Sequence, residues 1–182
     1  MNNFPTRETP RLLLRELTPQ DAPRLLQMYG DAQAMQWLGS DPLTELAQAQ
    51  ALIETFATWR QQATPGTRWG IECRQNGQLL GDCGLFKWSR EYRSCFVAFA
   101  LAPNARGRGV MGETLRTVLA WGFAQMQLNR VQALVHPQNQ ASLQLLERLG
   151  FEQEGRLREA GYWAGRHHDL LQLSLLRREF RP

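Results

Sequence analysis

The chain of 182 residues is long enough for one domain with a full core, and its 43% hydrophobic and 21% charged residues are ordinary for a globular protein. No apolar run approaches the ~20 residues of a membrane span, and the N-terminus lacks the pattern of a signal peptide, so we expect a cytoplasmic protein with no membrane partner. The net charge of +4 suits an acidic ligand. Because the arginines are scattered and no basic motif with stacking aromatics is present, we expect no direct nucleic-acid binding.

The first third of the chain predicts one strand and two helices. A strand is expected at Arg11–Arg15, and Thr18–Asp21 has the capping box and early proline that begin a helix, which Gly30 can end. A second helix is expected from about Leu43 to Gln62. The apolar segment Met35–Gly39 lies between these helices, where it could cover the core or form a substrate wall.

The middle of the chain predicts a three-stranded antiparallel meander. Trp69–Arg74 and Gln78–Phe86 flank Asn76-Gly77, a strong hairpin signal. Tyr92–Leu101 follows as a third strand. Since both of its faces are apolar, we expect this strand to be central and covered on both sides.

A glycine-rich loop, Pro103–Gly112, follows the third strand and leads into an amphipathic helix. Its three glycines let backbone N–H groups converge, the helix N-terminus adds partial positive charge, and two arginines add full charges. Together these features predict a phosphate or pyrophosphate site. The alternative is a tight turn that binds nothing, which the two arginines disfavour.

Two familiar nucleotide motifs fit this loop poorly. Its glycines spell G-x-G-x-x-G, but no Asp or Glu lies between Glu113 and Glu147, where a dinucleotide site needs an acid roughly 20 positions on. A P-loop is excluded because no Lys-Ser or Lys-Thr follows the glycines.

The last third predicts a strand, a short helix and two further strands. A strand at Arg130–His136 leads to a helix at Gln140–Leu149, for which Asn139 is the candidate N-cap. Phe151–Glu154 is expected to start another strand, and Asp169–Leu176 to form the last one. The resulting order, β-α-α-β-β-β-α-β-α-β-β, contains no domain boundary, so we expect one domain over residues 1–182.

Metal binding is not expected. Cys73, Cys83 and Cys95 lack the paired spacing of a zinc site, and their odd number in strand-like runs favours buried, reduced thiols. The adjacent His167 and His168 would point to opposite faces of a strand and could not chelate an ion together.

Two motifs resemble the GNAT acetyltransferases. They are Arg106-Gly107-Arg108-Gly109 with Glu113, and Asn139-x-x-Ser142-x-x-Leu145-Leu146-Glu147-x-x-Gly150-Phe151. The opening Thr9–Arg15 is similar to the ribosomal-protein N-terminal acetyltransferase branch, and the resemblance extends to about Leu176. It implies an α/β (α+β) GNAT fold: a mixed, mostly antiparallel sheet of about seven strands, splayed at two parallel central strands and flanked by about four helices. One departure is Met111, where the family often has Gly or Ala.

The resemblance also implies an acetyl-CoA site. Main-chain amides of residues 106–112 would hold the pyrophosphate, namely those of Arg106, Gly107, Arg108, Gly109, Val110, Met111 and Gly112. Backbone groups near Phe99 and Leu101 would hold the pantetheine arm in the wedge between residues 95–101 and 130–136. Asn139 would contact the same arm, alone or in addition to capping its helix. The Ser142 hydroxyl would protonate the departing CoA thiolate, although a serine in the first turn of a helix is commonplace.

The general base is not assigned by the sequence. His136 stands at a strand end, where it could accept a proton through water or serve only as a polar end. Glu159 lies close to the position where related enzymes carry a base, and Gly161 occupies the place expected to be acidic.

The missing base favours a weakly basic acceptor. An α-amine, with a pKa of about 7.7–8.0, is partly unprotonated near neutral pH, whereas lysine, at about 10.4, is not. The leading interpretation is therefore acetylation of a protein N-terminus, such as that of a ribosomal protein, by a monomer or homodimer. The alternatives are an acetyltransferase of a small amine (an antibiotic, a polyamine or an aminoacyl conjugate) and a non-catalytic CoA-binding module.

Overall fold

The computed structural model describes residues 4–181, which form one eight-stranded sheet and five α-helices. The strands are β1 Arg7–Glu8, β2 Leu12–Arg15, β3 Thr67–Cys73, β4 Leu79–Ser89, β5 Ser94–Leu101, β6 Arg130–Val135, β7 Glu152–Trp163 and β8 Arg166–Leu176. The helices are α1 Ala22–Tyr29, α2 Ala32–Met35, α3 Leu46–Thr58, α4 Val110–Gln125 and α5 Gln140–Arg148.

The sheet is mixed, with one parallel pair. The strand order is β1-β2-β3-β4-β5-β6-β8-β7, in which β5 and β6 are parallel and all other neighbours are antiparallel. This confirms the predicted mixed, mostly antiparallel GNAT sheet with its central parallel crossover. The described residues add one strand and one helix to the expected seven and four. Both additions, β1 with 2 residues and α2 with 4, are too short to carry a readable periodicity.

Several predicted boundaries were wrong. The second helix is α3, which ends at Thr58 and continues only as a 3₁₀ turn over Trp59–Gln61. In the final hairpin β8 begins at Arg166, before the expected Asp169, and β7, whose end the sequence left open, runs on to Trp163. β7 is the edge strand and is exposed on both faces for most of its length, so it has no apolar alternation from which the sequence could predict it.

The core consists of two hydrophobic clusters on opposite faces of the sheet. The larger cluster joins the sheet to α4 and α5, and the smaller one joins it to α1 and α3. β5 contributes Cys95 and Val97 to the first cluster and Ala100 to the second. This confirms the prediction that β5 is central and covered on both sides.

A buried ionic network ties α1 to the sheet. Asp82 on β4 is fully buried and accepts hydrogen bonds from Arg68 Nε at 2.6 Å and from the Tyr29 hydroxyl at 2.9 and 3.0 Å. Arg68 also donates to the Tyr29 oxygen at 3.0 Å. Because each charge has a partner, burial of the pair leaves no isolated ion in the interior.

Candidate active site

A wedge opens between the two parallel strands at the centre of the sheet. β5 and β6 are paired only from Ser94 and Arg130 to Phe96 and Gln132, and both strands then continue without pairing to each other. This confirms the predicted splay. Ala102 N–H donates to the Leu80 carbonyl across to β4 at 2.9 Å. Since successive residues of a strand direct their main-chain groups to alternate sides, those of Leu101 and Phe99 face the wedge.

The glycine-rich loop forms the N-terminus of α4 beside this wedge. Gly107 and Gly109 have φ values of 70° and 74°, in the left-handed region that glycine adopts without strain. The first helical bond runs from Glu113 N–H to the Gly109 carbonyl at 3.1 Å. The amides of Val110, Met111 and Gly112 therefore have no acceptor within the helix, which is the arrangement that binds an anion.

One member of the predicted phosphate set, Arg106, differs from expectation. The Arg106 amide donates to the Pro103 carbonyl at 3.3 Å, so it is not free, and the Arg106 guanidinium donates to the Leu101 carbonyl. Gly112 lies inside the first turn of α4, where a Cβ would find ordinary contacts, so this glycine is not required by the backbone. Met111 is buried in the core, which shows how this chain accommodates the residue that departs from the family pattern.

A segment from the N-terminal part of the chain, residues 9–11, which we term the strap, contacts the glycine-rich loop on its outer side. Glu113 accepts hydrogen bonds from the Thr9 hydroxyl at 2.5 Å and from Arg11 Nε at 2.7 Å. Arg11 Nη1 also donates to the Arg108 carbonyl at 3.1 Å. Burial acts to raise the pKa of Glu113, but the hydrogen bonds from Thr9 and Arg11 outweigh it and lower this pKa below its ordinary value. The resemblance includes Glu113, and the structure gives it a physical role as the anchor of the loop.

The second motif forms the start of α5 on the other side of the wedge. The Asn139 side-chain oxygen accepts the Ser142 amide at 3.2 Å, which confirms Asn139 as the N-cap. Ser142 lies half-buried in the first turn. Among residues 4–181 no hydrogen-bond partner is found for its hydroxyl.

These segments surround one cleft with a volume of about 770 Å³. Every predicted site residue except Arg108 lines it, and the predicted set in the lining is Phe99, Leu101, Arg106, Gly107, Gly109, Val110, Met111, Gly112, Asn139 and Ser142. Arg108 contributes its carbonyl to the strap instead. Gln36, Trp37 and Leu38 complete one side, so the apolar segment after α2 is a wall of the cleft.

The places considered for a base hold no carboxylate directed into the cleft. Gly161 has no room for a side chain, because a Cβ there would lie 2.4 Å from the Trp163 ring. Glu159 is exposed on the β7 edge, and its amide donates to Asp169. His136 lies behind Trp37, with 4.7 Å between the ring centroids, and is not among the lining residues.

Sequence reasoning missed Trp163 and His168, which stack on each other at 3.7 Å behind this wall. The available signal was the glycine at position 161, two residues before a large aromatic on the same face of a strand. His167, by contrast, is exposed against Tyr162, so the two adjacent histidines do point to opposite faces as predicted.

Two further findings concern the described part of the chain as a whole. Within residues 4–181 no group of three or more His, Cys, Asp or Glu side chains could hold a metal ion. None of the described helices combines the length and the apolar character needed to cross a bilayer.

Comparison with known proteins agrees with this geometry. The family model described as "Acetyltransferase (GNAT) domain" matches residues 11–152. The chain is 32% identical to the uncharacterized N-acetyltransferase YoaA of Bacillus subtilis (strain 168), over 96% of this chain and 98% of that protein.

Two solved structures share the fold at lower identity. The spermidine N-acetyltransferase of Vibrio cholerae in complex with CoA and spermine matches with a TM-score of 0.80 at 22% identity, over 94% of this chain and 98% of that one. RimL, a ribosomal L7/L12 alpha-N-protein acetyltransferase in complex with coenzyme A, matches with a TM-score of 0.80 at 18% identity, over 92% and 95%. The chain therefore belongs to the GNAT acetyltransferase family and is an N-acetyltransferase that uses acetyl-CoA.

Proposed function

We propose that this enzyme acetylates the N-terminal α-amine of a protein or peptide, such as a ribosomal protein. The observation that carries the proposal is the charge of the cleft. Among its lining residues, all within the described part of the chain, none is Asp or Glu, and the charged ones are Arg106 and Arg148. A polyamine carries several positive charges and would find no carboxylate there to replace its water.

The neutral polar groups of the cleft favour a peptide. Five glutamines line it: Gln33, Gln36, Gln138, Gln140 and Gln144. Their amides can donate to and accept from peptide groups without requiring charge on the acceptor. Both polyamine and protein N-terminal acetyltransferases share this fold. The choice between a polyamine and a peptide acceptor therefore rests on the residues that line the cleft.

The proposed reaction is a direct transfer with balanced protons. The unprotonated amine attacks the thioester carbonyl, the C–N bond forms, and the C–S bond breaks. Backbone amides at the wedge steady the oxyanion, and the Ser142 hydroxyl donates a proton to the CoA thiolate. The attacking amine loses its proton to water, and a proton returns from water to the Ser142 oxygen, so the products are the amide and the CoA thiol. Holding both reactants in line supplies much of the acceleration.

We assign Phe99, Leu101 and Asn139 to the pantetheine arm, and the amides of residues 107–112 to the pyrophosphate. The GNAT domain is proposed to span residues 1–182. A reducing, cytoplasmic location is supported by Cys73, Cys83 and Cys95, which are free thiols. Burial raises the pKa of Cys83 to about 12, as expected of an unreactive core thiol.

The test uses a short peptide with a free N-terminus and an internal lysine, with the modified nitrogen located by fragmentation. We expect acetylation of the α-amine, with kcat/KM rising through about pH 7 to 8 and then levelling as that amine finishes its titration. The same peptide with a blocked N-terminus, and spermidine, are the matched controls. Acetylation confined to lysine or to small amines would refute the proposal. If none of the amines tested led to release of the CoA thiol, the chain would be a binding module.

A further inference from the structure

Four aromatic rings lie in a continuous row of contacts behind the acceptor side of the cleft, which we term the aromatic column: Trp37, His136, His168 and Trp163. Successive ring centroids are 4.7, 5.4 and 3.7 Å apart, and the last pair is parallel within 7°. Trp163 and His168 are buried, with 4% and 7% of their surface exposed. Trp37 alone among the four lines the cleft.

Hydrogen bonds join the β7–β8 hairpin to the chain on both sides of Trp37. Trp163 Nε1 donates to the Gln36 carbonyl at 3.1 Å. One residue further, the Ala164 amide donates to Asp41 Oδ1 at 2.8 Å. The tip of the β7–β8 hairpin thus holds the segment from Gln36 to Asp41, and the absence of a side chain at Gly161 makes the space for the Trp163 ring.

The hydrogen bonds of the two histidines specify one set of tautomers. The main-chain N–H of Gln138 donates to His136 Nδ1 at 3.2 Å, so this nitrogen is an acceptor. His136 Nε2 therefore carries the proton and donates to His168 Nδ1 at 3.4 Å. His168 Nε2–H then donates to the Trp163 carbonyl at 3.1 Å. Every ring nitrogen is used, with both imidazoles neutral.

Protonation of either ring would break this chain. A proton on His136 Nδ1 would face the Gln138 N–H, and a proton on His168 Nδ1 would face His136 Nε2–H. The charged groups that act on His136 are Arg166, which opposes its protonation, and Asp169, which favours it. Burial, followed by the influence of His168 and Arg166, lowers the pKa of His136 below its ordinary value.

We infer that His136 and His168, as neutral imidazoles, are positioning residues that hold the Trp37 indole as the acceptor-side wall, and that Trp37 is a specificity-determining residue for the acceptor. His136 is not placed to act as the base, because it lies behind Trp37 and its Nδ1 lone pair is already occupied. The inference rests on acetyl transfer in this cleft and not on which amine is the natural acceptor.

The kinetic test compares His136→Ala with His136→Gln, using whichever amine the wild-type enzyme turns over. We expect His136→Ala to raise the acceptor KM roughly tenfold, the effect of losing a hydrogen bond and an aromatic contact, with kcat and the KM for acetyl-CoA little changed. Glutamine can keep a neutral donor towards His168. His136→Gln should therefore restore most of the affinity. In the wild-type enzyme, protonation of His136 at a pH below about 6.5 should raise the acceptor KM, and His136→Gln should not show this rise.

The control is His167→Gln, which alters the exposed neighbour outside the column and should change neither KM nor its pH profile. An unchanged acceptor KM in a folded His136→Ala would overturn the inference. A fall in kcat of about 100-fold or more in both His136 variants, with KM unchanged, would also overturn it and identify His136 as the proton acceptor.

A second measurement needs no substrate, so its failure is separable from failure of the proposed acceptor. The chain has only three histidines, so long-range ¹H–¹⁵N spectra can resolve their ring signals. The His136 and His167 variants assign each signal to its residue. We expect His136 and His168 both to carry their proton on Nε2 near pH 7.5. An Nδ1–H tautomer on either ring would contradict the proposed chain of hydrogen bonds.

Discussion

Ser142 is the side chain of the cleft to which a chemical step is assigned, so its replacement gives the most direct test at the scale of a single residue. Its hydroxyl lies in the first turn of α5, and the Asn139 cap fixes that turn. We predict that Ser142→Ala lowers kcat by roughly 10²–10⁴-fold, the usual effect of losing a positioned acid, with little change in acetyl-CoA affinity.

Rapid-mix kinetics and calorimetry would separate the two effects. Ser174→Ala is a matched control, because that hydroxyl lies on β8 and bonds to Glu154 at 2.8 Å, outside the cleft lining. If kcat is unchanged in Ser142→Ala, the serine has only a structural role in its turn.

Gly107 offers a second residue-level test with an unusually close control. Gly107 and Gly77 have φ values of 70° and 71°, and at neither would a Cβ meet an atom within 4 Å. The change to aspartate therefore imposes the same backbone strain at both, roughly 1–2 kcal/mol. Only Gly107 lines the cleft.

We predict that Gly107→Asp weakens CoA binding at least about tenfold, because a carboxylate beside the phosphates repels them, while Gly77→Asp leaves affinity unchanged. Calorimetry with CoA, after melting curves have shown equal stability losses, makes the comparison. Equal affinities in the two variants would mean that the loop does not hold the pyrophosphate.

At the scale of elements, local signals in the sequence predicted what local physics determines. The Asn76-Gly77 turn, the Asn139 cap and the glycine-rich loop were all visible, because each depends on residues within a few positions. The acceptor wall was not, since it depends on contacts such as that between Trp163 and Gln36, 127 positions apart. The exposed half of β7 likewise carried no apolar pattern.

The strap across the N-terminus of α4 supports a prediction about an element. Glu113 joins Thr9 and Arg11 to the loop, so its neutralisation should let the loop relax away from the wedge. We predict that Glu113→Gln weakens acetyl-CoA binding by roughly 3–10-fold, the loss of a charge-assisted hydrogen bond at a partly exposed site.

Glu8→Gln is the appropriate control, because the Glu8–Arg74 pair is an exposed ion pair at 3.4 Å on the neighbouring strand. Calorimetric titration with acetyl-CoA at two salt concentrations would compare the variants. Identical affinities for Glu113→Gln and wild type would show that the loop keeps its shape without the strap.

At the scale of the whole molecule, the sheet joins two cores that meet the cleft from opposite sides. The fold could be predicted because two motifs at their proper separation identify the central crossover. The acceptor could not, because the wall formed by α2 and the following loop is supported from behind by His136, just after β6, and by the final hairpin. The lining without carboxylates became visible only when these segments were brought together.

The dependence of stability on pH follows from which groups change their pKa on folding. The pKa of His136 is lowered from 6.5, so the unfolded chain binds its proton more readily. The stability from the neutral column is thus fully present above about pH 6.5 and is lost as the pH falls, with a slope of at most about 1.4 kcal/mol per pH unit for one proton.

A second loss follows at lower pH. Hydrogen bonds from Arg130 and Ser174 lower the pKa of Glu154 to about 2, and those from Arg15 and Thr18 lower that of Asp21 against the opposing effect of burial. These contributions are present above their ordinary values of 4.5 and 3.8 and disappear as the pH falls below them. We therefore predict a stability plateau above about pH 7, a shallow decline below about 6.5 and a steep one below about 4.5.

Urea unfolding at several pH values between 8 and 3 would measure the free energy of unfolding across both windows. His136→Gln should abolish the shallow decline and keep the steep one, because only the imidazole titration has been removed. His167→Gln should keep both, since that side chain lies outside the column. A shallow decline that survives in His136→Gln but vanishes in His167→Gln would assign the titration to the exposed histidine and separate the column from the acid sensitivity of the fold.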